Sequence, residues 1–167
     1  KEKNIALVKR AYREIVKAHA KDRMILVGDG PELERLKRKY SDIHYAGMQK
    51  GEDLARHYAS ADIFLFASVT ETFGNVVTEA MASGLAVCTY DYAVGRQYVR
   101  HGVNGFLAAF GDDDDFARQA VALSGRSEDA LAQIRAEARK TAEGISWDSV
   151  VESFEASLRA VVAGSRR

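Results

Sequence analysis

The sequence predicts a Rossmann-like α/β domain built on a doubly wound parallel sheet, with helices at the C-terminal end of the chain. Five short apolar runs have the length of strands, and polar or helix-like segments separate them. The runs lack a regular alternation of apolar and polar residues, as expected for strands that are buried on both faces of a parallel sheet. Parallel neighbours need a crossover connection, which the intervening helices supply.

The chain opens in a predicted helix, because apolar residues recur at helical spacing from Ile5 to Ala18. A strand normally precedes the first helix of such a fold, and the sequence has none before Asn4. We therefore expect residues 1–167 to be one domain of a longer protein, truncated on its N-terminal side. The predicted strands follow at Met24 to Val27, Ile43 to Ala46, Ile63 to Ala67, Leu85 to Thr89 and Phe106 to Ala109.

Three helices and no further strand are predicted after Gly111: Asp112 to Ser124, Glu128 to Ala142 and Trp147 to Val162. The acidic run from Asp112 to Asp115 suggests either a metal site or compensation of the dipole at a helix start. Consecutive helical positions point in different directions, and acidic residues belong in a helix's first turn, so we favour the second interpretation. The four histidines show no ligand spacing with cysteine or carboxylates, and no metal site is predicted.

Charge and cysteine content narrow the classes of partner. The 24 basic and 24 acidic residues cancel, so the chain has no net positive field with which to bind nucleic acid. Its single cysteine, Cys88, cannot form a disulfide within the chain and lies in an apolar run that suits a small buried side chain. No apolar stretch is long enough to cross a bilayer. We expect a cytoplasmic protein, with peripheral association at the inner face of a membrane left open for the full-length form.

The segment from Ser68 to Gly84 carries the strongest functional signal. It follows the third predicted strand and has the pattern of a loop that enters a helix, which Gly84 ends. The free N–H groups at such a helix start, here those of Gly74, Asn75 and Val76, can bind an anion without a cationic side chain. Gly74 has no Cβ, so a phosphate or a sugar could approach the backbone there. A simple loop bend is the alternative explanation for this glycine.

Two glutamates frame this helix start. Glu71 precedes it, and Glu79 lies about one and a half turns inside the helix. Carboxylates accept paired hydrogen bonds from vicinal hydroxyls, so Glu79 could hold a ribose diol while Glu71 meets a hexose hydroxyl near a diphosphate. The glycines at 28 and 30 do not complete a dinucleotide fingerprint, because Leu33 occupies the third glycine position. A hydride-transfer cofactor is therefore not expected.

The spacing from Glu71 to Glu79, together with Phe73-Gly74-Asn75-Val76 between them, resembles the Glu-x7-Glu signature of family 4 glycosyltransferases. The resemblance covers nearly the whole chain, including Glu2-Lys3-Asn4 and the glycine turn from Val27 to Pro31. It implies the GT-B fold of two Rossmann-like domains, with this chain as the C-terminal, nucleotide-sugar-binding half and the N-terminal acceptor domain absent. The full enzyme would be a retaining hexosyltransferase that acts on a glycan or glycolipid acceptor, and the isolated domain would be inactive.

The resemblance also implies roles for individual residues. Lys3 would contact the donor diphosphate, Glu71 would be the catalytic carboxylate that positions the donor sugar, and Glu79 would bind the ribose. The backbone around Met48 would meet the nucleotide base. The ligand would be a nucleotide diphosphate sugar, with no cofactor and no obligatory metal. The remaining donor contacts would come from Phe73, Gly74, Asn75 and Val76.

The chain departs from the family pattern at several positions. Ala67 and Ala86 replace two prolines, and Ala93-Val94 and Gln97 replace a glycine pair and a glutamate. Donor and acceptor preference therefore transfer less readily than the fold. Two other functions stay open: a GT-B nucleotide-sugar epimerase, and a non-catalytic α/β interaction domain that has lost its ligand.

Overall fold

The computed structural model describes residues 3–70 and 74–164, in which parallel strands alternate with helices. Each strand begins and ends within one residue of its predicted bounds, and the α/β class is confirmed. The strands are β1 (Ile25–Val27), β2 (His44–Gly47), β3 (Ile63–Phe66), β4 (Ala86–Tyr90) and β5 (Gly105–Ala108). The helices are α1 (Ile5–Ala18), α2 (Leu33–Lys39), α3 (Gly51–Ala59), α4 (Asn75–Ala82), α5 (Ala93–Tyr98), α6 (Asp113–Ser124), α7 (Glu128–Glu143) and α8 (Trp147–Gly164).

Within the described residues the strands form two parallel sheets rather than one continuous sheet. β1 pairs with β2, and β4 lies between β3 and β5. In the doubly wound strand order, the strand that precedes the first helix joins the two halves of the sheet. Residues 3–70 contain no strand before α1, and the described strands are divided between β1 and β3.

The central strand β4 shows why the apolar runs lack alternation, since all five of its residues are buried. Successive side chains of a strand point to opposite faces of the sheet. Cys88 packs in one core cluster with residues of α1 and α6, whereas Val87 packs in another with residues of α4 and α5. Cys88 is therefore a small buried side chain, as predicted, and its burial raises the pKa of the thiol.

The acidic run lies in the first turn of α6, where compensation of the helix dipole was predicted, and it also caps the helix. Asp112 precedes the helix, and its Oδ1 accepts a hydrogen bond from the backbone N–H of Asp115 at 2.8 Å. Asp115 accepts a further bond from the backbone N–H of Ala109 at 2.7 Å, and this bond lowers the pKa of the Asp115 carboxyl. The run thus accepts a hydrogen bond from a backbone N–H group that has no partner within the helix, and it joins the helix start to the end of β5.

The last helix, α8, presents an apolar stripe on its surface. Val151, Phe154 and Leu158 recur at helical spacing, and each is more than half exposed. Such a stripe suits packing against another protein surface. Among the described residues, none of the helices combines the length and the apolar character that crossing a membrane requires.

Candidate functional site

The carboxyl ends of the strands form one edge of the domain, and Lys3 lies at this edge. The ammonium nitrogen of Lys3 is 5.1 Å from the centroid of the ring of Phe66, the last residue of β3. From there α1 packs on the same core cluster as β3 and leads back into the amino end of β1. β1 therefore runs in the same direction as β3, and both sheets end at this edge. Ligands of open α/β sheets bind outside the carboxyl ends of the strands.

The loop after β3 leads into α4 at this same edge. Gly74, the residue before the helix, is buried and has a φ angle of 65°. The backbone N–H groups of Asn75 and Val76 have no acceptor among the residues that the structure describes. They are two of the unsatisfied donors that every helix start presents. The helix therefore begins where the sequence predicts, and anion binding by these amides stays a prediction.

Glycine at position 74 has a packing role that the sequence does not reveal. A Cβ added there would lie 2.4 Å from Cγ1 and 2.7 Å from Cβ of Val94 in α5. The space beside Gly74 is thus filled by another helix, and the left-handed φ angle also favours glycine. Gly74 is required for the contact between the start of α4 and α5, independently of any ligand.

Glu79 lies on an exposed part of α4 and is oriented by Tyr58 of α3. The hydroxyl of Tyr58 donates a hydrogen bond to Oε2 of Glu79 at 3.3 Å. Burial raises the pKa of Tyr58 to about 12, and the charge of Glu79 and this hydrogen bond contribute in the same direction. The phenol therefore stays protonated and keeps donating. The other carboxylate oxygen, Oε1, accepts no hydrogen bond within the described part of the chain and is open to a ligand hydroxyl.

The remaining predicted site residues divide into one that is exposed at the edge and two that are not described. Met48 follows β2 directly and is 61% exposed, and Gly47 before it has a φ angle of 69°. The backbone around Met48 is therefore accessible at the carboxyl edge, where the base was predicted to bind. Glu71 and Phe73 lie outside the described residues, so their roles stay predictions.

An exposed aromatic pair lies at the same edge, and the sequence alone does not single it out. Tyr92, which precedes α5, and Phe110, which follows β5, stack with their ring centroids 4.3 Å apart. Their exposed fractions are 41% and 50%. The register of the neighbouring parallel strands pairs Tyr90 with Ala108, and each aromatic residue lies two positions further along its chain segment. Only the pairing of β4 with β5 reveals that the two rings meet.

Buried Asn104 fixes the position of α5. Its side-chain amide nitrogen donates to the carbonyl of Tyr98, the last residue of α5, at 3.0 Å and to the hydroxyl of Thr141 in α7 at 2.9 Å. Its amide oxygen accepts a bond from a backbone N–H of the preceding turn at 2.6 Å. Asn104 thereby ties the end of α5 to α7, and α5 carries the Val94 side chain that packs on the start of α4.

The sequence matches one described family and several known proteins. Residues 1–126 match the sequence profile of the family described as Glycosyl transferases group 1. The GDP-mannose-dependent alpha-mannosyltransferase of Mycobacterium tuberculosis (strain CDC 1551 / Oshkosh) is 34% identical over 141 residues, which are 83% of this chain and 36% of that protein. The alpha-monoglucosyldiacylglycerol synthase of Acholeplasma laidlawii is 34% identical over 113 residues, which are 64% of this chain and 28% of that protein.

A solved structure shares the fold at lower sequence identity. A variant of S. aureus TarM, crystallised in complex with Fondaparinux, alpha-GlcNAc-glycerol and UDP, matches this structure with a TM-score of 0.79 and 20% identity. The match covers 92% of this chain and 32% of that chain. The present chain therefore spans between 28% and 36% of the length of these three proteins.

The chain folds into a Rossmann-like domain of the GT-B type: its parallel strands are flanked by helices, and a loop and a helix start lie at the carboxyl edge of the strands. The similar solved structure confirms this fold. The place of the domain in that fold is the C-terminal half. The family match covers three quarters of the chain, and the chain belongs to the glycosyl transferases group 1 family.

Proposed function

We propose that this chain is the donor-binding domain of a retaining family 4 glycosyltransferase, which transfers a sugar from a nucleotide diphosphate sugar to a glycan or glycolipid acceptor. The observation that carries the proposal is the placement of Lys3, the free amides at the start of α4, and Glu79 along one edge of the fold. A cation and N–H donors suit a diphosphate, and a carboxylate with an open oxygen suits a ribose diol. A relative named for GDP-mannose and a similar structure containing UDP support a nucleotide-linked donor.

Catalysis in this scheme is mainly electrostatic. Departure of the nucleoside diphosphate develops negative charge, which the Lys3 ammonium and the N–H groups of Asn75 and Val76 offset. The fold fixes the two amides before the ligand binds, because Val94 packs against the residue that precedes them. Glu71 positions the donor sugar as the catalytic carboxylate. The scheme requires no metal ion and no further cofactor.

The acceptor belongs to a part of the protein outside this chain. We propose that an N-terminal domain binds the acceptor, and that the exposed stripe of Val151, Phe154 and Leu158 on α8 packs against that domain. The chain alone would then bind the donor without turning it over. The enzyme would act as a hexosyltransferase in the cytoplasm, at the inner membrane face when the acceptor is a lipid. A relative named alpha-monoglucosyldiacylglycerol synthase supports a lipid acceptor.

The test of this proposal uses the longer protein with Glu71→Gln. Loss of the carboxylate charge should lower the turnover of sugar transfer by about a hundredfold or more, the cost of removing one group that stabilises a transition state. Glu143→Gln, which removes the same charge from an exposed site on α7, is the matched control and should leave turnover within about twofold.

Product analysis tests the stereochemistry and the class of reaction. The anomeric proton coupling of the product should show the configuration of the donor, whereas inversion would contradict the retaining assignment. Near-normal turnover by the Glu71→Gln variant would show that Glu71 is not the catalytic carboxylate. Conversion of the donor to an epimer without any acceptor would indicate the epimerase instead.

A further inference from the structure

Positive charge is concentrated on two helices of a chain whose formal net charge is zero. Together α1 and α2 carry eight basic residues against two acidic residues, a net charge of +6. The rest of the chain therefore carries a net charge of −6. The basic residues are Lys9, Arg10, Arg13 and Lys17 on α1, and Arg35, Lys37, Arg38 and Lys39 on α2.

A cavity of about 590 Å³ lies where these two helices meet, between the outer face of α1 and the segment that follows α2. Its wall includes Lys9, Arg13 and Tyr40 together with the carboxylates of Glu14 and Asp42, and Tyr40 comes directly after the last residue of α2. Arg13 lies eight residues beyond Ile5, the first residue of α1, which corresponds to about 12 Å of helix. Arg13 therefore lies away from the carboxyl edge at which the donor is proposed to bind, and the cavity runs from there along α1 to Ala6.

Three cations surround the ring of Tyr40: Lys9 and Arg13 in the cavity wall, and Lys39 at the end of α2. The Nζ of Lys9 is 4.2 Å, the Cζ of Arg13 is 4.8 Å and the Nζ of Lys39 is 5.5 Å from the ring centroid. None of the three forms an ion pair with a carboxylate in residues 3–70 or 74–164. Their contact at close range is with the face of an aromatic ring, which is a weaker partner than a paired carboxylate.

Neighbouring cations on α1 differ from these three because they have carboxylate partners. Arg10 pairs with Asp114 of α6, and Lys17 pairs with Glu14 at 2.8 Å. Surface cations of this chain thus commonly find an acidic partner where one is within reach. The cations around Tyr40 remain available for an anion from outside the chain.

The burial of Lys9 strengthens this conclusion. Lys9 as a whole residue is only 9% exposed, so its aliphatic stem is packed and holds the ammonium over the Tyr40 ring. Burial of the Tyr40 ring would by itself raise the pKa of its phenol. A hydrogen bond with Lys39 and the charges of Lys9, Lys39 and Arg13 outweigh that effect and lower the pKa below its ordinary value. The cavity therefore favours negative charge at the phenol oxygen.

We propose that the three cations around Tyr40, at this cavity, bind a phosphate ester group, with Lys9 and Arg13 contributed by the cavity wall and Lys39 by the end of α2. The guanidinium can donate two parallel hydrogen bonds to phosphate oxygens, and the ammonium groups supply further donors. Two kinds of ligand contain a phosphate ester group: a free phosphorylated molecule and the headgroup of an anionic phospholipid. The net charge of α1 and α2 attracts both.

Binding of inorganic phosphate and of vesicles tests the site in the full 167-residue chain. Phosphate binding is followed by calorimetry and by the absorbance titration of Tyr40, whose pKa should rise when an anion screens the three cations. Vesicles of phosphatidylcholine with and without phosphatidylglycerol are tested by co-sedimentation. The variant Arg13→Gln/Lys39→Gln changes two exposed side chains, and circular dichroism checks its fold. The control Arg139→Gln/Arg159→Gln removes the same charge from exposed sites on α7 and α8.

The site variant should weaken phosphate binding by about tenfold or more, whereas the control should change it by less than about twofold. Loss in the site variant alone supports the site with a free phosphorylated ligand. The same pattern seen only with phosphatidylglycerol vesicles supports the site with a lipid headgroup as ligand. Absence of binding to both probes, or equal losses in both double variants, would overturn the proposal. If the double variant does not fold, Lys39→Gln compared with Arg159→Gln makes the same test.

Discussion

Replacement of Gly74 by alanine tests the packing that positions the start of α4. The new Cβ would lie 2.4 Å from Cγ1 and 2.7 Å from Cβ of Val94, well inside the separation of about 3.5 Å at which carbon atoms make favourable contact. The left-handed φ angle costs a residue with a Cβ about 1–2 kcal/mol, and repacking an overfilled site costs about 1–3 kcal/mol more. We therefore expect Gly74→Ala to lower the free energy of unfolding by about 2–5 kcal/mol.

Two further variants separate the two causes. Gly102 has a φ angle of 76°, and no atom lies within 4 Å of a Cβ built there, so Gly102→Ala should lose only about 1–2 kcal/mol. In a Val94→Ala background the clash is relieved, and Gly74→Ala should cost about 1–3 kcal/mol less than it costs in the unmodified chain. Urea denaturation followed by circular dichroism measures each free energy of unfolding. Equal costs at the two glycines, with additive effects at 74 and 94, would refute the reasoning.

The other predictions concern a buried amide, a phenol and the exposed aromatic pair. Asn104→Leu should lower the free energy of unfolding by about 2–4 kcal/mol, because it leaves buried partners unsatisfied; a loss below about 0.5 kcal/mol in urea denaturation would contradict the network. The pKa of Tyr58 is raised from 10.0 to about 12, so its contribution to stability is complete below pH 10 and is lost as the pH rises through 12. Glu79→Gln should lower that pKa in an absorbance titration, and an unchanged value would exclude the contact. In the longer protein, Tyr92→Ala should raise the KM for donor or acceptor severalfold if the exposed ring contacts a sugar. Unchanged KM values would show that the Tyr92 ring serves only to pack against Phe110.

The order of the elements could be predicted from the sequence because the pattern of each element is local. Buried parallel strands are short apolar runs, and β4, with all five residues buried, matches that pattern well. The start of α6 was equally predictable, because acidic residues near Asp112 cap a helix through contacts only a few residues apart. The Glu-x7-Glu segment was recognisable for the same reason, since its signal lies within one loop and one helix.

Contacts between distant segments could not be predicted in this way. Val94 fills the space beside Gly74 from a helix 20 residues away, and Tyr58 meets Glu79 across 21 residues. The pairing of Tyr92 with another ring depends on the register between β4 and β5. The cations around the end of α2 come from two helices and meet only through their packing. In each case the information lies in tertiary geometry, which periodicity and spacing do not encode.

Nucleotide binding to this chain tests the central claim most directly. Calorimetric titrations with UDP, GDP and ADP should show that one nucleotide binds, with a dissociation constant in the micromolar to low-millimolar range. Glu79→Ala and Lys3→Ala should each weaken that binding by about ten- to a hundredfold, since a charge-assisted hydrogen bond contributes roughly 1.5–3 kcal/mol. Glu143→Ala, an exposed control on α7, should leave it unchanged. Binding of no nucleotide, or binding that neither variant weakens, would contradict a donor site at the carboxyl edge.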